Sequence, residues 1–333
     1  MRKRDDSLDL LRVSAAFTVV WLHVATNVVL TNPSVSDLRW WTGNIADSFS
    51  RWCVPVFVMI SGALLLSGST SRLDLDYYKR RFSKVLFPLF FWTIFYLGWR
   101  LLSKGHMNFY DVISCFIFSG SYYHLWYLYM IIGLYFVAPF LQRLMSVTST
   151  RDITMLCVAL LVSGAVEAAF GTHKSTIFYQ FIPFLGFFLA GYCLYNKFFS
   201  FKPGLLVFLF FFCGIAVAIS TGALLLIEPQ PWSYTYENLN PLVIIMSLSL
   251  FGLVAGRFEV SPPTGRIIRA IAPLTLGIYL IHPIWLDLLH YFRLDFFFHP
   301  VIGIPVTTLI VFLLSAVSAF CFRALPGLRR AVA

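Results

Sequence analysis

Charge is scarce in this chain. Asp, Glu, Lys and Arg make up 12% of its 333 residues, whereas 59% are hydrophobic and 18% aromatic. So small a polar complement cannot cover a water-soluble fold of this size, which excludes a soluble globular protein. Cysteine is also scarce: Cys53, Cys115, Cys157, Cys193, Cys213 and Cys321 stand singly, mostly inside apolar stretches, with no CxxC pair and no spacing suited to a metal. They read as small core residues, so neither a disulfide framework nor a metal site is expected, and no permanently bound cofactor. Polar linkers, low-complexity tracts and fixed-period repeats are missing too, so the chain, 1–333, reads as a single membrane domain.

What the chain has in abundance is long apolar runs. An apolar helix of about 17 to 25 residues spans a bilayer, and ten segments qualify, at roughly 8–30, 52–69, 82–102, 123–142, 152–170, 176–195, 204–227, 240–256, 270–290 and 301–322. The fold class is therefore an all-α polytopic membrane protein, a bundle of about ten transmembrane helices. The first segment carries Arg12 and lacks a small-residue cleavage site, so it reads as a retained helix rather than a signal peptide. The longest loops are Thr31 to Arg51, Ser103 to Tyr122 and Ser69 to Arg81; within the second, the apolar stretch Asn108 to Gly120 is too short to span.

The net charge of +10 would suggest nucleic acid in a soluble chain, but its distribution points to a membrane instead. With the N-terminus in the cytoplasm, only Arg39, Arg51, Arg100, Lys104, Lys174 and Arg293 fall outside among 25 Lys and Arg. Positive charge sets orientation, so both termini are expected in the cytoplasm of a multi-pass inner-membrane protein. Prolines stand within or at the ends of many spans, at Pro55, Pro88, Pro139, Pro183, Pro241, Pro273, Pro283 and Pro305. Each removes a backbone hydrogen bond that lipid cannot replace, which favours positions facing protein or a wet cavity.

Arg12 and His23 are the first candidates for chemistry. Eleven positions at about 100° each bring both to one helix face, ~16 Å apart along the axis. Ionisable groups inside a membrane face a bundle interior or a cavity and are functional candidates by default, against the alternatives of a snorkelling Arg12 and a His23 bonded to a neighbouring helix. The cluster Lys79-Arg80-Arg81-Phe82-Ser83-Lys84 precedes the third span. Arg81 and Lys84 are neighbours on a helix surface, suited either to anchoring in anionic lipid or to clamping phosphates. Arg51 to Gly62 opens the second span, with Ser61 and Gly62 permitting close helix approach. Tyr122-Tyr123-His124-Leu125-Trp126-Tyr127-Leu128 suits an interfacial aromatic belt or a sugar-stacking surface. In Gly277-Ile278-Tyr279-Leu280-Ile281-His282-Pro283, a histidine sits deep in a span, just before a proline.

These motifs taken in order, Arg12 plus ten residues plus His23, "VPVFVMISG", "KRRFSK", "HLWYL" and "GIYLIHP", resemble the acyltransferase-3 family of bacterial inner-membrane acyltransferases, from Asp9 to about Leu314. The stretch "YYHLWYLYMIIGLYFVAPFLQ" further resembles the enterobacterial common antigen O-acetyltransferase branch. The resemblance implies an O-acetyltransferase that moves acetyl from acetyl-CoA across the membrane to a hydroxyl of a cell-surface glycan or its lipid-linked precursor. It implies His23 as the essential histidine and Arg12 as its motif partner. It aligns the family's paired arginines with Arg81 and Lys84, so the second keeps its charge but loses the bidentate fork. Around these, Asp9, Ser61, His124, Trp126, Tyr279 and His282 are supporting candidates, with Glu167 and Asp287 as contacts for sugar hydroxyls. Expected partners are acetyl-CoA, the glycan acceptor, membrane lipid and glycan-synthesis proteins, with no nucleic acid.

With Leu10 near the cytoplasmic surface, His23 lies about 20 Å deeper in a core roughly 30 Å thick. A CoA nucleotide held by Arg81, Lys84 and Arg12 could then extend its pantetheine arm toward His23, which would act as a base or as an acyl relay. A transporter or flippase for a lipid-linked saccharide would use the same broken spans and buried histidines without acyl transfer.

Overall fold

The computed structural model describes residues 5–31, 34–68, 75–104, 108–116, 120–170, 176, 179–227, 234–294 and 299–332. In chain order the helices are α1 (Asp6–Thr31), α2 (Leu38–Ser48), α3 (Cys53–Leu66), α4 (Leu75–Lys104), α5 (Phe109–Ser114), α6 (Trp126–Val147), α7 (Thr150–Phe170), α8 (Leu185–Tyr195), α9 (Pro203–Ile227), α10 (Pro241–Val254), α11 (Pro262–Ile271), α12 (Thr275–Tyr291) and α13 (Pro300–Ala324). Short 3₁₀ turns lie at Ile182–Phe184, Tyr234–Tyr236, Ala272–Leu274 and Arg329–Ala331. Among the described residues there is no strand, and nine helical stretches are long and apolar enough to cross a membrane. A tenth apolar stretch, Ile182–Tyr195, is shorter.

Two expected segments come out differently. The span expected at 52–69 is α3, 14 residues long, and the loop expected from Thr31 to Arg51 contains α2. Together they form one of the nine stretches, Leu38–Leu66. Hydropathy missed α2 because its polar residues are satisfied inside the protein rather than by water. Asp37 caps its start by accepting from the Arg39 amide at 2.7 Å. Asn44, fully buried, donates to the Ala218 carbonyl at 2.9 Å and accepts from the Tyr236 hydroxyl at 2.6 Å. Among its described residues, the segment expected at 176–195 yields the turn at Ile182–Phe184 and α8.

The short helices α3 and α8 lie against each other in the centre of the bundle. A Cβ on Gly62 would stand 1.8 Å from the Phe188 carbonyl oxygen, and one on Gly191 would stand 2.0 Å from that of Met59. Reciprocal glycines thus let two backbones touch, as small residues do in membrane bundles. At 1.5 Å per residue, α8 is roughly 17 Å long, too short for a bilayer core of about 30 Å. Its own side chains, among them Phe187, Phe188 and Leu189, are buried against other helices, which removes that requirement. Of the eight prolines, Pro88, Pro139, Pro283 and Pro305 sit inside helices, the first three buried and Pro305 half-buried. Pro241 opens α10, and Pro183 and Pro273 lie in the 3₁₀ turns, where no helical bond is lost.

The start of α1 is tied to the ends of three other helices. Asp5 accepts from the Tyr195 hydroxyl at 2.8 Å, the Ser7 hydroxyl accepts from the Gly256 amide at 2.8 Å, and Asp6 pairs with Arg269 at 2.5 Å. Burial would raise the Asp5 pKa, but hydrogen bonds from Ser7 and Tyr195 outweigh it and hold the carboxyl below its ordinary value. Beyond α13, the Ala331 carbonyl accepts from the Trp92 indole at 2.8 Å. Arg12 of α1 and Arg323 of α13 face one cavity, so the N-terminal end of α1 and the C-terminal end of α13 lie at the same end of the bundle.

Candidate active site

Two cavities lie back to back along α1. The first, about 440 Å³, is lined by Arg12, Arg81, Lys84 and Arg323 together with Ser61, Tyr127, Tyr135 and Tyr279, and among the described residues no acidic one lines it. Arg12 contacts Asp9 at 3.3 Å, while Arg323 donates to the Pro273 carbonyl at 2.9 Å. Arg81 and Lys84 have no acidic partner among the described residues. All four cations of that cluster are exposed, but Lys79 and Arg80 do not line the cavity whereas Arg81 and Lys84 do. Helical spacing explains this division, because residues three apart share a face while their immediate neighbours turn away. Four cations without a lining acid leave net positive charge in a confined space, a setting for a polyanion such as a phosphate chain.

The second cavity, about 580 Å³, is lined by His23, Asn27, Arg51, Cys53, Tyr123, His124, Trp126, Asn238, Asp287 and His290. Tyr127 and Tyr279 line it as well as the first. These two rings, 5.5 Å apart, form the shared wall between the cation-lined and histidine-lined spaces. The shared face expected of Arg12 and His23 is thus divided, with Arg12 opening into one cavity and His23 into the other.

The histidines form a group. The His23 ring stacks on His282 with centroids 5.2 Å apart and planes 17° apart, and His124 meets His282 edge-on at 5.5 Å. His282 is fully buried and its Nδ1 lies 2.7 Å from the Tyr279 carbonyl oxygen. The reason is local. In a continuous helix that carbonyl would accept from residue 283, which is proline and has no N–H. The imidazole supplies the missing donor, so Nδ1 carries the proton and Nε2 is an acceptor in the neutral ring. Tyr279 also donates its hydroxyl to the His124 carbonyl, so one residue fixes the ring of His282 and the backbone of His124.

The remaining candidates fall around this group. Ser61 lines the cation cavity, Trp126 the histidine cavity, and Asp9 holds Arg12. Asp287 lines the histidine cavity and accepts from the Trp99 indole at 2.8 Å and from the Tyr122 hydroxyl. Glu167 is exposed on α7 and lines neither cavity. Among the described residues no group of three His, Cys, Asp or Glu is arranged to hold a metal ion.

Sequence reasoning did not single out Arg323 or the pair Asp47–Arg51, and it took Tyr127 only as one ring of the aromatic stretch. A cation in the last turn of an apolar helix looks like a snorkelling residue, which concealed Arg323. Arg51 pairs with fully buried Asp47 at 2.5 Å, donates to the Tyr236 carbonyl at 3.1 Å and lies 4.2 Å over the Tyr236 ring. Thr26 donates to the other Asp47 oxygen at 2.8 Å. The spacing of four between Asp47 and Arg51 was the available signal.

A multi-pass helical membrane protein with a polycationic cavity abutting a histidine-lined one is the class that the fold and site define. The acyltransferase-3 family model, described as an acyltransferase domain, matches residues 5–322, and the chain belongs to that family. An amino-acid racemase of Enterococcus faecalis is 31% identical over 137 residues, covering 38% of this chain and 18% of the racemase. The chain thus spans less than a fifth of the length of that curated relative. No solved structure matches it.

Proposed function

We propose that the protein is an inner-membrane O-acyltransferase that moves acetyl from cytoplasmic acetyl-CoA to a hydroxyl of a cell-surface glycan or its lipid-linked precursor. The observation that carries this reading is the shared wall of Tyr127 and Tyr279 between a cavity suited to phosphates and one that gathers three histidines. Arg12, Arg81, Lys84 and Arg323 bind the phosphates of the donor. The pantetheine arm reaches the wall of the two tyrosines, whose rings touch with centroids 5.5 Å apart and must part for the thioester to reach His23. The histidine cavity opens to the outer side, where Tyr123 and Trp126 offer aromatic faces to a sugar ring and Asn27 and Asn238 offer hydrogen bonds to its hydroxyls. His23 removes the proton of the attacking hydroxyl.

The positive charge around the donor cavity supports a cytoplasmic orientation for that end of the bundle, and with it cytoplasmic termini. A glycan resembling the enterobacterial common antigen is one acceptor within this class. The racemase likeness covers too little of that protein to bring its activity here, and neither cavity is argued from it.

The test is transfer of radiolabelled acetyl from acetyl-CoA into the glycan fraction of membranes that contain or lack the protein. Label in the glycan only when the protein is present is the expected result. A saccharide moved across vesicles without any label transfer would replace the enzyme by a flippase.

A further inference from the structure

His124 is 2% exposed and lines the histidine cavity; among the described residues neither of its ring nitrogens makes a hydrogen bond of ordinary geometry, and the Leu280 carbonyl toward which the ring is turned already accepts from the Tyr96 hydroxyl at 2.7 Å. A neutral imidazole always carries one N–H, and a buried donor is nearly always satisfied, so one at a cavity wall points to an acceptor on a ligand. The side chain is held in place: its ring lies edge-on to Tyr96 at 5.0 Å, to Tyr279 at 5.3 Å and to His282 at 5.5 Å, and its own carbonyl accepts from the Tyr279 hydroxyl. The neighbouring His282 is not an alternative donor, because its Nδ1–H is committed to the Tyr279 carbonyl and Nε2 only accepts. His23 is the base of the proposed reaction.

We propose that His124 is a further catalytic residue whose imidazole N–H binds the thioester carbonyl oxygen and stabilises the negative charge that oxygen gains during transfer. The inference rests on the acyl-transfer reading given above. The acceptor hydroxyl oxygen bonds to the carbonyl carbon while its proton passes to His23. The carbonyl π pair moves onto the oxygen held by His124. When the C=O bond re-forms, the C–S bond breaks, the thiolate leaves with that pair, and the proton on His23 passes to sulfur. An ester and free CoA result, and both histidines return to the neutral state.

The test compares His124→Ala and His124→Gln in the full chain, in membranes, with donor affinity and protein level measured beside transfer. His124→Ala should lower turnover by about a hundredfold to a thousandfold, the usual cost of one lost oxyanion donor. Its affinity for acetyl-CoA should stay unchanged, because the phosphates are held in the other cavity. His124→Gln, which keeps an N–H donor, should recover part of the loss. Turnover of His124→Ala close to wild type at equal protein level would overturn the assignment while leaving acyl transfer intact. Infrared spectra of wild-type protein with carbonyl-labelled acetyl-CoA, without acceptor, read the same contact even where a variant does not fold. A carbonyl band below that of the thioester in an apolar solvent supports the contact, and a band at the apolar-solvent position overturns it. Wild-type membranes that transfer no acyl group would instead overturn the acyl-transfer reading, and this inference with it.

Discussion

His23 and His282 stack with their rings 5.2 Å apart although they come from the first helix and the twelfth. The fixed member is His282, through Tyr279. His23 stands at the cavity wall, facing the space where an acceptor would bind. Removal of a positioned general base typically lowers the rate by about a hundredfold to ten-thousandfold. His23→Ala should therefore reach normal membrane levels, bind donor normally and lose glycan acylation by that factor. Near-normal acylation at normal protein level would count against the assignment and direct attention to His282.

For the donor cavity, Arg81→Ala should weaken acetyl-CoA binding tenfold or more, since a charge-assisted contact is worth about 1.5 to 3 kcal/mol. Lys84→Arg should be tolerated, because the charge remains. Equilibrium binding of radiolabelled acetyl-CoA to membranes measures both. An unchanged affinity in Arg81→Ala would leave this pair as lipid anchors.

The orientation is testable at the two ends of α9. Reporter fusions at Lys202 and Glu237, which flank Pro203–Ile227, should report opposite sides of the membrane, with Lys202 cytoplasmic. Both on one side would remove the crossing of α9 and the cytoplasmic position of the donor cavity.

Packing of the central helices has its own test. Gly62→Ala brings a methyl group to within 1.8 Å of a backbone oxygen that cannot rotate away. Overpacking typically costs about 1 to 3 kcal/mol, and here relief requires two helices to move apart. The amount of monodisperse protein recovered in detergent should fall sharply. Gly98→Ala, with nothing within 4 Å of the new atom, should leave it unchanged.

The sequence by itself determined the class of fold and most of the spans, and it named candidate residues such as Arg12, His23, Arg81 and Lys84 without Arg323. Bilayer thickness and hydrocarbon impose length and composition on any crossing helix, so those features are written locally. Arg81 and Lys84 could likewise be paired from helical spacing alone. Hydropathy failed at α2, where Asn44 and Asp47 find partners on α9, on α1, at Arg51 and in the turn at Tyr236. Local composition does not record a distant partner.

Only the tertiary structure decided which cavity each residue enters. It joined Arg323 to Arg12, stacked His23 on His282 and set Tyr127 and Tyr279 between two spaces. It also gave the His-Pro dipeptide a meaning, because the carbonyl freed by Pro283 accepts its hydrogen bond from the His282 ring. The physical reason is that side-chain direction follows from local helical geometry, whereas cavities arise from the packing of helices far apart in the chain, and packing is a property of the whole bundle.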